Sequence, residues 1–222
     1  MTTVGLRAPA FPRGLPRLGS RARFPMKRIL LGVGAAAAVA LGWALAGCSA
    51  VPKRTDFAEE FSEAFAAART RATVPAGSEA ERLAIERVKR FLGNWSEATI
   101  REQTAQVYAP DAYLNDTLKT LRGVDPIRDY FLETIQNAES ITVEFTDVTR
   151  ASDGAHYFRW VMDVRMTRVA SGKTIRTPGI TLVRFDEQGR VLIHQDYWDS
   201  AAGLWEHIPV LGRGIRTIKA RL

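Results

Sequence analysis

Phe158-Arg159-Trp160-Val161-Met162-Asp163-Val164-Arg165-Met166 is the stretch that decides the fold. Large apolar side chains recur at every second position, so Phe158, Trp160, Met162, Val164 and Met166 share one face of a long strand. The same period holds on either side of it. Upstream, Ile141, Val143 and Phe145 alternate with polar residues, and Ser152-Asp153-Gly154 supplies the turn between the two runs. Downstream, Ala170-Ser171-Gly172-Lys173 turns the chain into a strand from Thr174 to Phe185. Asp186-Glu187-Gln188-Gly189 turns it again into Arg190 to Asp199. Long strands joined by tight turns predict an antiparallel meander.

Before Asn137 the period is near 3.6 instead. Phe57, Phe61 and Phe65 recur every fourth residue beside Ala64 and Ala68, which predicts an amphipathic helix that packs against the domain or takes a partner. Val74-Pro75-Ala76-Gly77-Ser78 breaks it. A second helix is expected from Glu79 to Leu92, with Ala84, Ile85, Val88, Phe91 and Leu92 on one face and Gly93 as its stop. Ser96 opens a third, which runs to the Ala109-Pro110 break, and residues 112–118 fit a short strand. Asp125 before Pro126 reads as an N-cap, so a fourth helix begins there and continues through Ile127, Tyr130, Phe131 and Ile135. Helices first and a meander afterwards mean α+β. A strongly curved antiparallel sheet wrapped by N-terminal helices would form a cone with a pocket.

Charge separates the ends of the chain. The formal net charge is +7, yet residues 1–47 hold seven basic residues and no acidic one, which leaves 24 basic against 24 acidic in residues 48–222. A neutral mature part argues against nucleic acid as a partner, because there is no excess of cations to displace counterions from phosphates. Ile29 to Pro52 contains no charged residue and follows Met26-Lys27-Arg28, the order of a secretory signal. The run closes on Leu45-Ala46-Gly47-Cys48, which resembles the lipobox of bacterial lipoproteins. That resemblance implies lipidation of Cys48, the sole cysteine, and cleavage before it. An uncleaved transmembrane helix is the other reading of the run. Met26 is the expected start of translation, since the Arg and Pro content of residues 1–25 fits no ordinary signal. Ser49 in place of Asp implies, by the same resemblance, an outer-membrane anchor facing the periplasm. The expected organisation is a leader at 1–47, a lipidated tether with a short helix at 48–78, a domain at 79–200 and a tail at 201–222.

The chemistry of the domain concentrates on its last strand, Val191-Leu192-Ile193-His194-Gln195-Asp196-Tyr197-Trp198-Asp199. His194, Asp196 and Trp198 share a face there, which sets a carboxylate between an imidazole and an indole. A carboxylate moved out of water has its pKa raised, so Asp196 is a candidate general base, with Trp160, His194 and Trp198 as ligand-binding neighbours. Asp199 ends the strand and is expected to cap the next turn. His156, after a turn, and His207, beyond the sheet, are expected bystanders, and no metal site or cofactor is predicted.

Gln195-Asp196-Tyr197-Trp198-Asp199 resembles the Arg-Asp-Tyr-Phe-Asp run of limonene epoxide hydrolase, and Tyr113-Leu114-Asn115 is similar to that enzyme's Tyr-x-Asn. Both belong to the SnoaL-like branch of the nuclear-transport-factor-2-like superfamily, with polyketide cyclases and ketosteroid isomerases. The resemblance implies that Tyr113, Asn115 and Asp196 hold an attacking water, with Asp196 as base. It also points to Asp163 and Arg165 as the acid half of the site, although their order is reversed and they alternate out of phase with Trp160, Met162 and Val164. The superfamily often pairs through the outer face of its sheet, which implies a possible homodimer.

Beyond the sheet, Ile215, Ile218 and Leu222 make an apolar stripe among Arg213, Arg216, Lys219 and Arg221, the pattern of a short basic amphipathic helix. The sequence thus predicts an envelope lipoprotein that binds a small lipophilic molecule, with Asp196 as the candidate base for isomerising or hydrolysing it. The alternative is a non-catalytic interaction module.

Overall fold

Both periodicities carry into a computed structural model, which describes residues 56–222. The leader, the apolar run and Cys48 lie outside the described residues. Helix α1 (Phe57–Arg69) is capped by Asp56, whose carboxylate accepts the Glu59 N–H at 3.2 Å. Helices α2 (Glu79–Leu92) and α3 (Glu97–Val107) start where Ser78 and Ser96 accept the N–H of Glu81 and Thr99 at 3.1 and 3.2 Å. These bonds satisfy backbone donors that a first helical turn leaves open. After strands β1 (Tyr108–Asn115) and β2 (Thr120–Arg122), α4 spans Val124–Gln136.

Four long strands follow: β3 (Ala138–Arg150), β4 (His156–Met166), β5 (Thr174–Phe185) and β6 (Val191–Trp198). A short helix α5 (Ser200–Gly203), a 3-10 turn at Trp205–His207 and helix α6 (Leu211–Lys219) complete the chain. The curved, unclosed sheet has the order β2-β1-β6-β5-β4-β3, and every neighbouring pair is antiparallel except β1 with β6. The α+β architecture and the three long antiparallel pairings agree with the expectation from sequence.

Two local expectations are corrected. Strand β1 begins at Tyr108, ahead of Pro110, and its register against β6 shifts between Tyr108 and Tyr113. A proline fits there because a bulge asks for no ladder donor at that position. Helix α4 is capped by Gly123 at φ +89°, not by Asp125, which sits in the first turn and pairs with Arg128 at 2.8 Å.

The sheet is covered on both faces. On the inner face, Val88, Phe91, Ile100, Ile127 and Phe131 from α2, α3 and α4 pack on Tyr108, Phe158, Val183 and Phe185. On the outer face, Phe61, Ala64, Phe65 and Ala68 of α1 cover Tyr113, Leu182, Leu192 and Ile193. The expected packing of α1 is what the structure shows. Residues 56–222 form one compact unit containing both cores, so this segment is expected to fold without what precedes it.

A buried polar cluster closes one end of this unit. Glu81 accepts the Gly77 N–H at 2.6 Å, and its Oε1 lies 2.9 Å from both His156 Nε2 and Arg150 Nε. His156 is therefore no bystander: it is buried and fixes α2 to β4. Burial pushes the His156 imidazole below its ordinary value, against the pull of Glu81. Its Nδ1 has no partner among the described residues, so a second ring proton would be an orphaned donor. Burial works to raise Glu81, but the Gly77 N–H, His156 and Arg150 outweigh it and hold the carboxyl below its ordinary value.

Both folded-state values are depressed, so both groups bind protons more readily in the unfolded chain. Stability is then fully present above pH 6.5 and falls with acidification, first as His156 charges and again below 4.5 as Glu81 is protonated. Urea midpoints measured from neutral to acid pH should show this two-stage loss. His156→Gln should remove the upper stage, and a flat profile in the parent would contradict the cluster's role.

Candidate functional site

The pairing register decides what stands together on the inner face. Asp196 is opposite Thr181, His194 opposite Val183, and Trp198 opposite Gly179, which is itself opposite Trp160 on β4. Directly opposed residues share a face, so Trp160, Thr181, His194, Asp196 and Trp198 converge from three adjacent strands. They line a partly open cavity of about 190 Å³, whose other walls are Leu114, Phe131, Val143, Phe145, Met162 and further apolar side chains. Gly179, between the two tryptophans in the row, makes room for the Trp160 indole. A Cβ at Gly179 would lie 2.3 Å from the Trp160 ring.

A hydrogen-bonded chain holds Asp196 at the wall. The Trp160 indole N–H donates to Thr181 Oγ1 at 2.8 Å, and the Thr181 hydroxyl donates to Asp196 Oδ1 at 2.5 Å. His194 Nε2 is 3.0 Å from the same Oδ1, and its Nδ1 is 2.9 Å from the Tyr108 hydroxyl. Burial pushes the Tyr108 phenol well above its ordinary value, and the Asp196 charge adds to this. Tyr108 therefore stays protonated and donates to Nδ1, which leaves the imidazole proton on Nε2, directed at Asp196. Both donors fall on Oδ1. Asp196 Oδ2 has no protein partner among the described residues, and the side chain remains 16% exposed. The arrangement thus presents one free carboxylate oxygen to a largely apolar cavity, with the other oxygen fixed by two bonds.

The rest of the expected constellation is not brought together with Asp196. Tyr113 and Asn115 lie on the opposite face: Tyr113 packs 6.4 Å from the Phe61 ring under α1, while Asn115 bonds Gln195, Thr120 and the Thr117 N–H. The parallel pairing of Leu114 with His194 explains this, because it turns Leu114 inward and its two neighbours outward. Asp163 and Arg165 are also outward, as their phase on β4 implies. Asp163 pairs with Arg176 at 2.8 Å and Arg165 reaches Glu139 at 3.9 Å.

Three polar residues of the cavity were not foreseen, and one of them, Thr134, spends its hydroxyl on the Tyr130 carbonyl at 2.8 Å. Thr181 becomes visible only once the β5–β6 register is known. Asp116, two residues after Leu114, also lines the cavity, but its Oδ1 accepts the N–H of Leu118 and Lys119 and its Oδ2 accepts the Tyr130 hydroxyl. Burial, and then the Asp116 charge, push the Tyr130 phenol far up, so it remains a donor. Asp116 is consumed by the turn it organises, and its backbone carbonyl takes the Trp198 indole N–H at 2.7 Å. Asp199 accepts the Ala202 N–H at 3.0 Å and caps α5, as its sequence position implies. Among the described residues, no three His, Cys, Asp or Glu side chains are grouped as a metal would require.

A family model described as a SnoaL-like domain matches residues 88–194. The chain carries a SnoaL-like domain. The match ends at His194, so Asp196 and Trp198 belong to the same strand but lie just past it. Among solved structures, the SnoaL-like domain is similar to an NTF2-like protein of unknown function from Exiguobacterium sp. (10% identity, 52% of this chain and 98% of that one, TM-score 0.47). It is also similar to an LEH-like epoxide hydrolase from M. tuberculosis (16% identity, 67% and 100%, TM-score 0.46). A third is the epoxide hydrolase/cyclase-like enzyme SalBIII, with a role in pyran ring formation in the polyether salinomycin (12% identity, 56% and 98%, TM-score 0.48). No curated protein matches the chain.

Proposed function

We propose that the SnoaL-like domain binds a small lipophilic molecule in its inner cavity and that Asp196 Oδ2 serves as a general base for isomerisation or hydrolysis there. The observation that carries this reading is the open cavity itself, which reaches Asp196 through walls that are otherwise nearly all apolar. A pocket filled by side chains would have favoured a purely structural module. A dry cavity of roughly 150 Å³ holds benzene. The volume here, about 190 Å³, suits a single ring or a short branched skeleton with one polar group to meet Asp196.

Native mass spectrometry of the purified protein, followed by organic extraction, tests the reading. A small apolar compound should co-purify with the parent. Its retention should fall about tenfold or more in Asp196→Asn, equivalent to about 1.4 kcal/mol. An empty parent under every growth condition, or unchanged retention in the variant, would overturn it.

The same proposal places the protein in the bacterial envelope, attached through lipid on Cys48, on the strength of the leader and lipobox. Labelled palmitate fed to the expressing cells should enter the parent, and the protein should sediment with membranes. Cys48→Ala should lose both the label and the anchored pool, and retained label would rule out that attachment site.

A second reading, a homodimer through the outer face, is favoured by one observation. Ile180 and Tyr197 are directly paired there, with Tyr157 nearby, and all three are exposed beside the strip that α1 covers. Sedimentation velocity on residues 56–222 decides it: Tyr197→Lys should shift a dimer to monomer.

A further inference from the structure

Helix α6 is amphipathic, and it is mounted with most of its apolar side outward. Leu211, Ile215 and Ile218 recur at intervals of four and three, one stripe on a helix, and Leu222 continues the spacing. Against the domain the helix instead uses Gly212 and its basic side. A Cβ at Gly212 would overlap the Glu206 carbonyl, Arg216 donates to that same carbonyl at 2.6 Å, and Lys219 pairs with Glu206 at 2.8 Å. Ile215 is partly buried, and the rest of the stripe stays in water: Ile218 is 62% exposed, Leu211 46% and Leu222 fully exposed. Val210 just before it is 86% exposed at φ +67°, with the Leu211 N–H bonded to the Pro209 carbonyl at 2.8 Å. That is a tight three-residue turn of the strained kind for a β-branched residue. It sets the start of the helix with its apolar residues away from the domain.

We infer that α6, with Val210 and Leu222, is a membrane-surface element that lies on a bilayer carrying anionic headgroups. Charge complementarity selects this occupant. From His207 to Leu222 there are four basic residues and no acidic one, and Arg213 and Arg221 make no ion pair among the described residues. A nucleic acid would engage the cations and leave the apolar stripe in water. A second copy of the neutral mature chain would have to find an acidic counter-surface. A bilayer interface accepts both components at once, the stripe among acyl chains and the cations at the headgroups. Among the described residues no helix is long and apolar enough to cross a membrane, and at nine residues α6 could only lie along one. The element is joined to the cavity by a short path, since Gly203 and Leu204 line the cavity and Leu204 directly precedes the turn on which α6 rests. On the ligand-binding proposal above, and resting on it, a lipophilic ligand would then reach the pocket from the bilayer and not through water.

Residues 56–222, which lack the leader and Cys48, isolate the effect. They should co-sediment with phosphatidylcholine vesicles containing phosphatidylglycerol about tenfold more than with phosphatidylcholine alone, and high salt should release them. Ile218→Asp, and separately Arg213→Glu with Arg221→Glu, should each lower that binding about tenfold with an unchanged melting temperature. Asp196→Asn should bind vesicles like the parent, so loss of the cavity proposal would leave this result standing. Equal vesicle binding by Ile218→Asp would overturn the inference. So would an absence of binding to either vesicle, whether accompanied by duplex DNA binding or by a dimer that Ile218→Asp dissociates.

Discussion

Arg184→Ala is expected to lower the stability of residues 56–222 by about 3–5 kcal/mol and to expose α1 to protease. Arg184 stands on the outer face of β5, buried under the C-terminal end of α1. Its guanidinium makes three charge-assisted bonds, to the carbonyls of Ala68 at 2.9 Å, Asp153 at 2.7 Å and Arg71 at 3.3 Å. Two of these carbonyls belong to the end of α1 and the residues just after it, where unpaired acceptors and the negative pole of the helix both call for a cation. Burial pulls the guanidinium below its ordinary value, but an arginine remains charged throughout the accessible range.

Truncation removes the donors, strands partly buried carbonyls and leaves a void beneath α1. Arg184→Met separates these contributions, because it keeps most of the stem and removes only the bonds and the charge. Met should recover about 1–2 kcal/mol of the alanine loss through packing alone. A Met variant as stable as the parent would show that the desolvation of the guanidinium cancels its bonds. Urea denaturation of the three proteins, with limited proteolysis between residues 57 and 71, reads all of these outcomes.

Nothing in the local sequence announced Arg184, and the reason is instructive. An arginine at an outward position of a half-covered strand reads as solvent-facing, and only the placement of α1 over that strip makes it a buried cap. Periodicity reports which residues share a face within one element. It does not report what covers that face. The same limit explains Thr181, a neighbour of Asp196 only through the β5–β6 register, and His156, which meets Glu81 across 75 positions of chain.

Within a single strand, alternation is enough to sort the side chains. The alternation of β4 correctly grouped Trp160 with Met162 and Val164 and set Asp163 and Arg165 apart. The phase of β6 correctly grouped His194, Asp196 and Trp198. The misplacement of Tyr113 and Asn115 came from aligning β1 by motif. Strand β1 alternates without a break, with Tyr108, Ala112 and Leu114 in the inner core and Ala109 and Tyr113 in the outer one, and only its pairing with β6 reveals which of its two faces is the inner.

Gly179→Ala is expected to cost about 2–4 kcal/mol and to close the cavity. The added Cβ would fall 2.3 Å from two carbons of the Trp160 indole, a distance that no small adjustment absorbs. The backbone of Gly179 is held on both sides by β4 and β6, so the ring is what must move. Moving it breaks the 2.8 Å bond to Thr181, which in turn fixes Asp196 Oδ1, and swings the indole into the cavity it now bounds.

The substitution should therefore act on stability and ligand retention together, whereas Asp196→Asn should leave stability nearly intact. Trp160→Phe in the Gly179→Ala background provides the decisive comparison. The smaller ring should clear the new methyl group and restore most of the stability, but it cannot donate to Thr181, so ligand retention should stay low. If the double variant regains both, the indole serves only as wall, and the bonded path from Trp160 through Thr181 does not position Asp196. If it regains stability alone, that path is what aims the free carboxylate oxygen at the cavity.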